Sequence, residues 1–282
     1  MTVSLVTDST SDLTSEDAHR FGIRVVPLTV RFGDEQFKDG VELVASAFYE
    51  RLRSGDHQPS TSQPSPEAFA AVYRQLLVSD DDVVISVHIT SKLSGTLQSA
   101  HLASQEFGDR RVRVIDSGTA SGGLQVLLFA TLEDIVAGKS ADDIVTALEG
   151  RINRTGIYML LDTLIYLQRG GRIGRARAFL GGMLKVKPLL ACHDGEITPV
   201  ARARNEQQGV DLLFEKVAAV GELEAVAAYH ADNSTKLGPL RARLAGAYPE
   251  LTIRSGEIGP VVGTYVGPGT VGIGYIRAAA PG

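Results

Sequence analysis

The chain has 282 residues and a formal net charge of -5, from 28 Lys and Arg against 33 Asp and Glu. With no dense basic run, this balance argues against a nucleic-acid backbone as partner. An apolar fraction of 44% with 22% charged residues excludes a disordered or fibrous chain. The length is at or above the size where single cores divide, so two domains are expected, 1–153 and 154–282.

Met1 to Asp8 has no basic flank and meets Asp8 after a few apolar residues, so it reads as a first strand and not as a signal peptide. Short β-branched runs then alternate with helical patterns, the signature of a doubly wound, mostly parallel α/β sheet. Strands are predicted at Val3–Thr7, Arg24–Val30, Val83–Val87 and Val112–Asp116, and helices at Ala45–Arg53, Pro66–Leu77, Gly95–Phe107, Gly122–Ala137 and Ala141–Arg154. Ser54–Pro66, with three prolines, is expected to be a surface connection. After Asn153 strands are predicted at Gly156–Leu161, Lys185–Ala191, Glu196–Ala203, Ala225–His230, Thr252–Ser255 and Val261–Tyr265. Helices fall near Glu206–Val220 and Ser234–Ala247. Asp194-Gly195 is a hairpin signal, so this half is expected to be an α+β domain with a mixed sheet. The single cysteine, Cys192, excludes an internal disulfide and a multi-cysteine zinc site. His230 and Asp232 are too thin a set for a metal, and none is expected. No segment reaches the uninterrupted apolar length of a membrane span, so a soluble, cytoplasmic protein is expected.

Four segments carry candidate chemistry. Asp8-Ser9-Thr10-Ser11-Asp12 follows the first strand, where open α/β sheets bind ligands, although Asp12 or Ser11 capping the next helix explains the same composition. Its two aspartates are spaced by four and not two, which rejects a phosphatase pair. Leu93-Ser94-Gly95-Thr96 runs from a strand turn into a helix start and offers amides and hydroxyls to a carboxylate or phosphate; Ser94 as an N-cap is the competing reading. Gln168 to Arg177 places four arginines around three glycines, suited to carboxylate or phosphoryl oxygens or to a solvated helix C-terminus. Gly267, Gly269 and Gly272 form a Gly-x-Gly-x-x-Gly match with too little chain after it for a dinucleotide unit, and no phosphate loop occurs anywhere, so no cofactor is expected.

Taken together, five motifs resemble the DegV family in order and spacing over nearly the whole chain. They are Thr7 to Leu13, Thr61-Ser62-Gln63-Pro64, Leu93-Ser94-Gly95-Thr96 with Gln98-Ser99-Ala100, Gly170-Gly171-Arg172-Ile173, and Gly263-Thr264-Tyr265-Val266-Gly267-Pro268-Gly269. The resemblance implies an α/β and an α+β domain clasping one long-chain fatty acid, in the role of the binding subunit of a bacterial fatty acid kinase. It implies a carboxylate held by Thr61, Ser62, Ser94, Gly95 and Thr96. Many members carry a histidine where this sequence has Tyr265, which can donate a hydrogen bond but cannot carry positive charge. Arg172, Arg202 and Arg204 are the candidate cations near the head group or the partner surface. Ile165, Leu167, Phe179, Leu180 and Met183 are candidates for the tunnel lining. The expected partners are the fatty acid, an ATP-dependent kinase subunit and, transiently, a membrane surface, with no chemistry done by this chain alone. Two other readings stand beside it: a serine-dependent lipid hydrolase using Ser94 with His88 nearby, which lacks the strained Gly-x-Ser-x-Gly turn, and a lipid sensor acting on another protein.

Overall fold

The computed structural model describes residues 2–55, 57–180 and 186–280. The first half contains β1 (Val3–Asp8), α1 (Ser15–Arg20), β2 (Arg24–Val26), β3 (Thr29–Phe32), β4 (Glu35–Lys38), α2 (Ala45–Ser54) and β5 (Pro59–Ser62). It continues with α3 (Pro66–Leu76), β6 (Val83–His88), α4 (Thr96–Ser104), β7 (Val112–Asp116), α5 (Ser121–Val136) and α6 (Ala141–Ile152). Four strands form a wholly parallel sheet in the order β2-β1-β6-β7. β1 and β6 are apolar runs buried along most of their length, as expected of strands covered on both faces.

The predicted strand Arg24–Val30 splits. Pro27 interrupts the ladder because it has no N–H to donate, and Ser9 Oγ accepts the next amide, that of Leu28, at 3.0 Å. β3 then leaves the parallel sheet and forms a three-stranded antiparallel sheet, β4-β3-β5. The expected connection Ser54–Pro66 therefore contains a strand. β5 is polar and opens on Pro59, a composition tolerated at a sheet edge, which hid it.

The second half contains β8 (Thr155–Leu160), α7 (Ile165–Arg169), a 3-10 segment at Gly174–Phe179, β9 (Lys187–His193), β10 (Glu196–Ala203), α8 (Glu206–Ala218) and β11 (Leu223–His230). α9 (Ser234–Ala247), β12 (Arg254–Glu257), α10 (Pro260–Val266) and β13 (Val271–Arg277) follow. The six-stranded sheet runs β10-β9-β8-β13-β11-β12, with only β11 and β12 parallel, so the mixed α+β expectation holds. The Asp194-Gly195 hairpin is present, both residues having positive φ (49° and 71°). Val261–Tyr265 is a helix and not a strand: Pro260 sits at the first helical turn and α10 ends at Gly267, whose φ is 74°. β13 was not expected, because Gly272 and Gly274 depress its strand signal.

α5 is buried on all sides from Ser121 to Thr131 and packs against both the parallel and the mixed sheet, as a helix apolar all round must. One core cluster accordingly joins Leu5 and Ile85, Leu124 and Leu127 of α5, and Ile157 and Ala227.

The β9–β10 turn docks on the first half: a Cβ on Gly195 would lie 2.2 Å from Thr90 Oγ1, and Gly195 N–H donates to Gly118 O at 2.7 Å. Gly195→Ala is expected to cost about 1–3 kcal/mol of stability, seen as a lower melting temperature. Gly150→Ala, in α6 with open space around it, is expected to leave the melting temperature unchanged or raise it.

Candidate functional site

A cavity of about 910 Å³ of atom-free space, its mouth included, lies between α5, α10 and the inner face of the mixed sheet. Its wall is mostly apolar and includes Leu28, Ile89, Ile157, Met159, Leu167 and Val261. No Asp or Glu is on the wall among the described residues, whereas Thr61, Ser94, Tyr265 and Arg172 are. Leu93, Ser94, Arg172 and Ile197 are shared with a polar outer vestibule that also contains Ser91, Lys92 and Arg175.

Strand alternation turns Thr61 of β5 inward and leaves Ser62 exposed. The Thr61 hydroxyl lies 2.6 Å from the Tyr265 hydroxyl of α10. The Tyr265 ring fits because Gly170 has no side chain, a Cβ there falling 2.3 Å from Cδ1, and the Arg172 guanidinium stands 5.2 Å from the ring centroid. Arg172 is itself aimed by donating to Leu93 O at 3.1 Å and Gly170 O at 2.9 Å. Ser94 Oγ lies 2.9 Å from Thr96 Oγ1 and accepts the Thr96 N–H at 3.3 Å, so it tends the start of α4 while still facing the cavity. Gly95 leaves room for the Gln63 amide, since a Cβ would fall 1.9 Å from Gln63 Oε1 and displace it. Gln63 in turn donates to Ser99 Oγ at 3.0 Å, which clamps the Thr61 strand end to the Ser94 turn.

Of the other expected site residues, Thr96 is buried at the first position of α4 and lies off the wall, and Gly95 lines the vestibule only. Arg202 is exposed and stacked on Phe179 at 4.4 Å, and Arg204 is exposed; neither reaches the cavity. Leu167 is on the wall. Ile165 and Leu180 are exposed and Phe179 lies beneath Arg202, so these three stay off the wall, and Met183 lies outside the described residues. Sequence reasoning missed Ile157 and Met159, although the alternation of β8 marks them as facing one way, and it missed Leu28 and Ile258, which only the tertiary fold brings in. Cys192 is also on the wall; burial pushes its thiol up to about 12, which removes it as a nucleophile.

Most of the segment after β1 is structural, although Thr10 is on the cavity wall. Thr14, and not Ser11 or Asp12, caps α1 by accepting the Asp17 N–H at 3.0 Å. Asp8 accepts from Thr10 N, Thr10 Oγ1, His88 Nδ1 and Ile89 N, and His88 Nε2 is 2.7 Å from Ser86 Oγ, itself 2.8 Å from the Tyr73 hydroxyl. Asp8, His88 and Ser86 look like a triad in order, but all three are fully buried and every polar atom is engaged. His88 is thus spoken for and does not reach Ser94.

Asp12 accepts the Gly259 N–H at 2.9 Å and the Ser121 hydroxyl at 2.5 Å, tying the start of α10 to the first half. Burial pushes Asp12 up to about 8 and Asp39, whose Oδ2 has no partner, up to about 7.

A family model described as uncharacterised protein, DegV family, matches residues 2–278. The chain belongs to the DegV family. A DegV domain-containing protein of Deinococcus radiodurans is 39% identical, covering 97% of this chain and 98% of its own. A Thermus thermophilus DegV family structure, described by its fatty acid binding, superposes with a TM-score of 0.92 at 36% identity over 99% of this chain and 100% of that one. Bacillus subtilis DegV, a fatty acid binding protein, gives 0.87 at 31%, again over 99% and 100%.

The buried acids make a pH test. A carboxyl whose folded pKa stands above its usual 3.8 keeps its proton longer in the folded state, so this pair lowers stability as pH rises from about 4 to about 8. Asp39→Asn is expected to flatten that slope in melting temperatures taken between pH 5 and pH 8; an unchanged slope would place its source elsewhere.

Proposed function

We propose that the chain binds one long-chain fatty acid, its segments 1–153 and 154–282 acting as two domains closed on the ligand, and presents the carboxylate at the vestibule to a separate ATP-using kinase. The observation that carries this reading is the polarity of the cavity: its wall is mostly apolar, with Thr10, Ser121 and Thr270 as scattered hydroxyls, while Ser94 and Arg172 stand where it meets the vestibule and Thr61 and Tyr265 adjoin them. Burying methylenes at ~0.8 kcal/mol each gives roughly 12 kcal/mol gross for a sixteen-carbon chain, before association costs reduce it. A carboxylate left without donors would cancel much of that gain, and Thr61, Ser94, Tyr265 and Arg172 are the groups placed to meet it. Arg172 supplies the positive charge that Tyr265 cannot. Ser62, Gly95, Thr96, Arg202 and Arg204, being off the wall, belong in this reading to the supporting turns or to the partner-facing surface. The fatty acid binding described for the Thermus and Bacillus relatives supports the ligand class.

The chain does no chemistry of its own in this reading. A Ser94 hydrolase needs a base, and His88 is buried with both ring nitrogens engaged. Among the described residues no helix is long and apolar enough to cross a membrane. In this reading the chain meets a membrane surface only transiently, to exchange lipid.

Native mass spectrometry of the purified protein, followed by lipid extraction, is expected to show one fatty acid per chain. Titration of delipidated protein with palmitate is expected to show Thr61→Val, Ser94→Ala and Arg172→Gln each weakening binding by about 1–3 kcal/mol, roughly fivefold to over a hundredfold. A delipidated protein that takes up no palmitate sinks the binding reading. Acyl phosphate is expected only when ATP and a second protein are both supplied; ATP hydrolysis by this chain alone would count against the division of labour.

A further inference from the structure

The floor of the cavity is built from facing residues of three strands. Register places Gly272 of β13 opposite Met159 of β8 and Tyr229 of β11, and Gly274 opposite Ile157 and Ala227. Directly opposed residues of antiparallel strands share a face, so both glycines look toward α5. Glycine weakens a strand and needs a reason there, commonly the close approach of another backbone or of a ligand.

At Gly274 the reason is protein. A Cβ would fall 2.4 Å from the carbonyl carbon of Gly122 and 2.5 Å from the Gly123 nitrogen, so the α5 backbone rests on the strand and closes the cavity. At Gly272 no protein atom supplies one. Its φ is not positive, and a Cβ would meet only Tyr158 O at 3.4 Å and Met159 Cβ at 3.7 Å, ordinary contacts that any side chain could accept. The space above Gly272 is the cavity itself.

Resting on the fatty-acid reading, we propose that Gly272 determines which acyl chains the protein accepts, because the side chain it lacks is the volume through which the distal methylenes pass. Met159 and Tyr229 flank that notch and differ in their freedom. Tyr229 is fixed, its ring wedged between Gly122 and Gly256 and its hydroxyl donating to Gln125 Oε1. Met159 is unbranched and adaptable, so it is the neighbour through which selectivity at position 272 can be retuned.

The test is a chain-length series, laurate to stearate, titrated into delipidated wild type, Gly272→Ala, Gly272→Leu and Gly272→Leu combined with Met159→Ala. Each methylene denied burial costs about fourfold in affinity. Gly272→Leu is expected to lose at least tenfold for stearate while laurate stays within about threefold. Gly272→Ala shifts the same way by a smaller step, and the Met159→Ala addition restores stearate. That rescue separates a steric role in selection from a structural one. An unchanged order of chain lengths in folded Gly272→Leu, or an equal loss for laurate and stearate, overturns the proposal. Should the leucine variant fail to fold, an unchanged order in Gly272→Ala overturns it equally. Wild type that binds none of the series overturns the fatty-acid reading along with it, an outcome distinct from either.

Discussion

The contact on which the molecule depends is the approach of the α5 backbone to β13 at Gly122 and Gly274. A helix apolar on every side has no stable place at a surface, and here it lies between a parallel sheet that its own half builds and a mixed sheet that the other half builds. Side chains at Gly122, Gly123 or Gly274 would push the layers apart by more than close-packed neighbours can absorb. Tyr229 shows how tight the junction is, since its ring occupies the room left by two glycines and its hydroxyl is held by Gln125 of α5. The cavity exists because this contact stops: one pleat from Gly274, at Gly272, the backbones no longer touch and the space opens.

The other wall of the cavity is α10, and its stability comes from elsewhere in the chain. Seven residues form too short a helix to persist on local hydrogen bonds. The elements of the first half fasten it from its approach to its last turn. Tyr49 donates to Ile258 O at 2.9 Å, Asp12 accepts the Gly259 N–H, and Thr61 meets Tyr265. The last of these is also part of the polar mouth, so the pair that fixes the wall in place is the pair that the proposed function offers to a ligand carboxylate. Arg172 stacks on the same ring, and position and charge are thereby delivered together.

The buried polar groups near the strand ends follow a different logic. The Asp8, His88, Ser86 and Tyr73 chain is continuous, the Tyr73 hydroxyl meeting Ser86, Ser86 meeting His88 Nε2 and His88 Nδ1 meeting Asp8, with the remaining lone pairs of Asp8 met by Thr10 and Ile89. Such a network holds the carboxyl ends of β1 and β6 in one arrangement because each unpaired member would be costly in an apolar surround. The order of residues imitates a hydrolase, but the full burial and full engagement of its members leave no place for a substrate.

The alternation of strands and helices in the first half, the Asp194-Gly195 hairpin and the helices Pro66–Leu76, Ala141–Ile152 and Ser234–Ala247 were legible in the sequence, because periodicity, caps and turn chemistry are local. So were the motifs that gather Thr61, Ser94, Arg172 and Tyr265 at one mouth. The tertiary structure alone decided where local signals conflicted or were silent. Val261–Tyr265 reads as a strand by its β-branched residues and becomes a helix because Pro260 starts it and the first half packs against it. β5 and β13, one polar and one rich in glycine, are strands only because neighbours supply their ladders. The apolar wall was the least legible part. Leu28, Ile89, Met159 and Ile258 lie far apart in the chain, and a residue's membership in a cavity is fixed by which layers close around it and not by anything in its own neighbourhood.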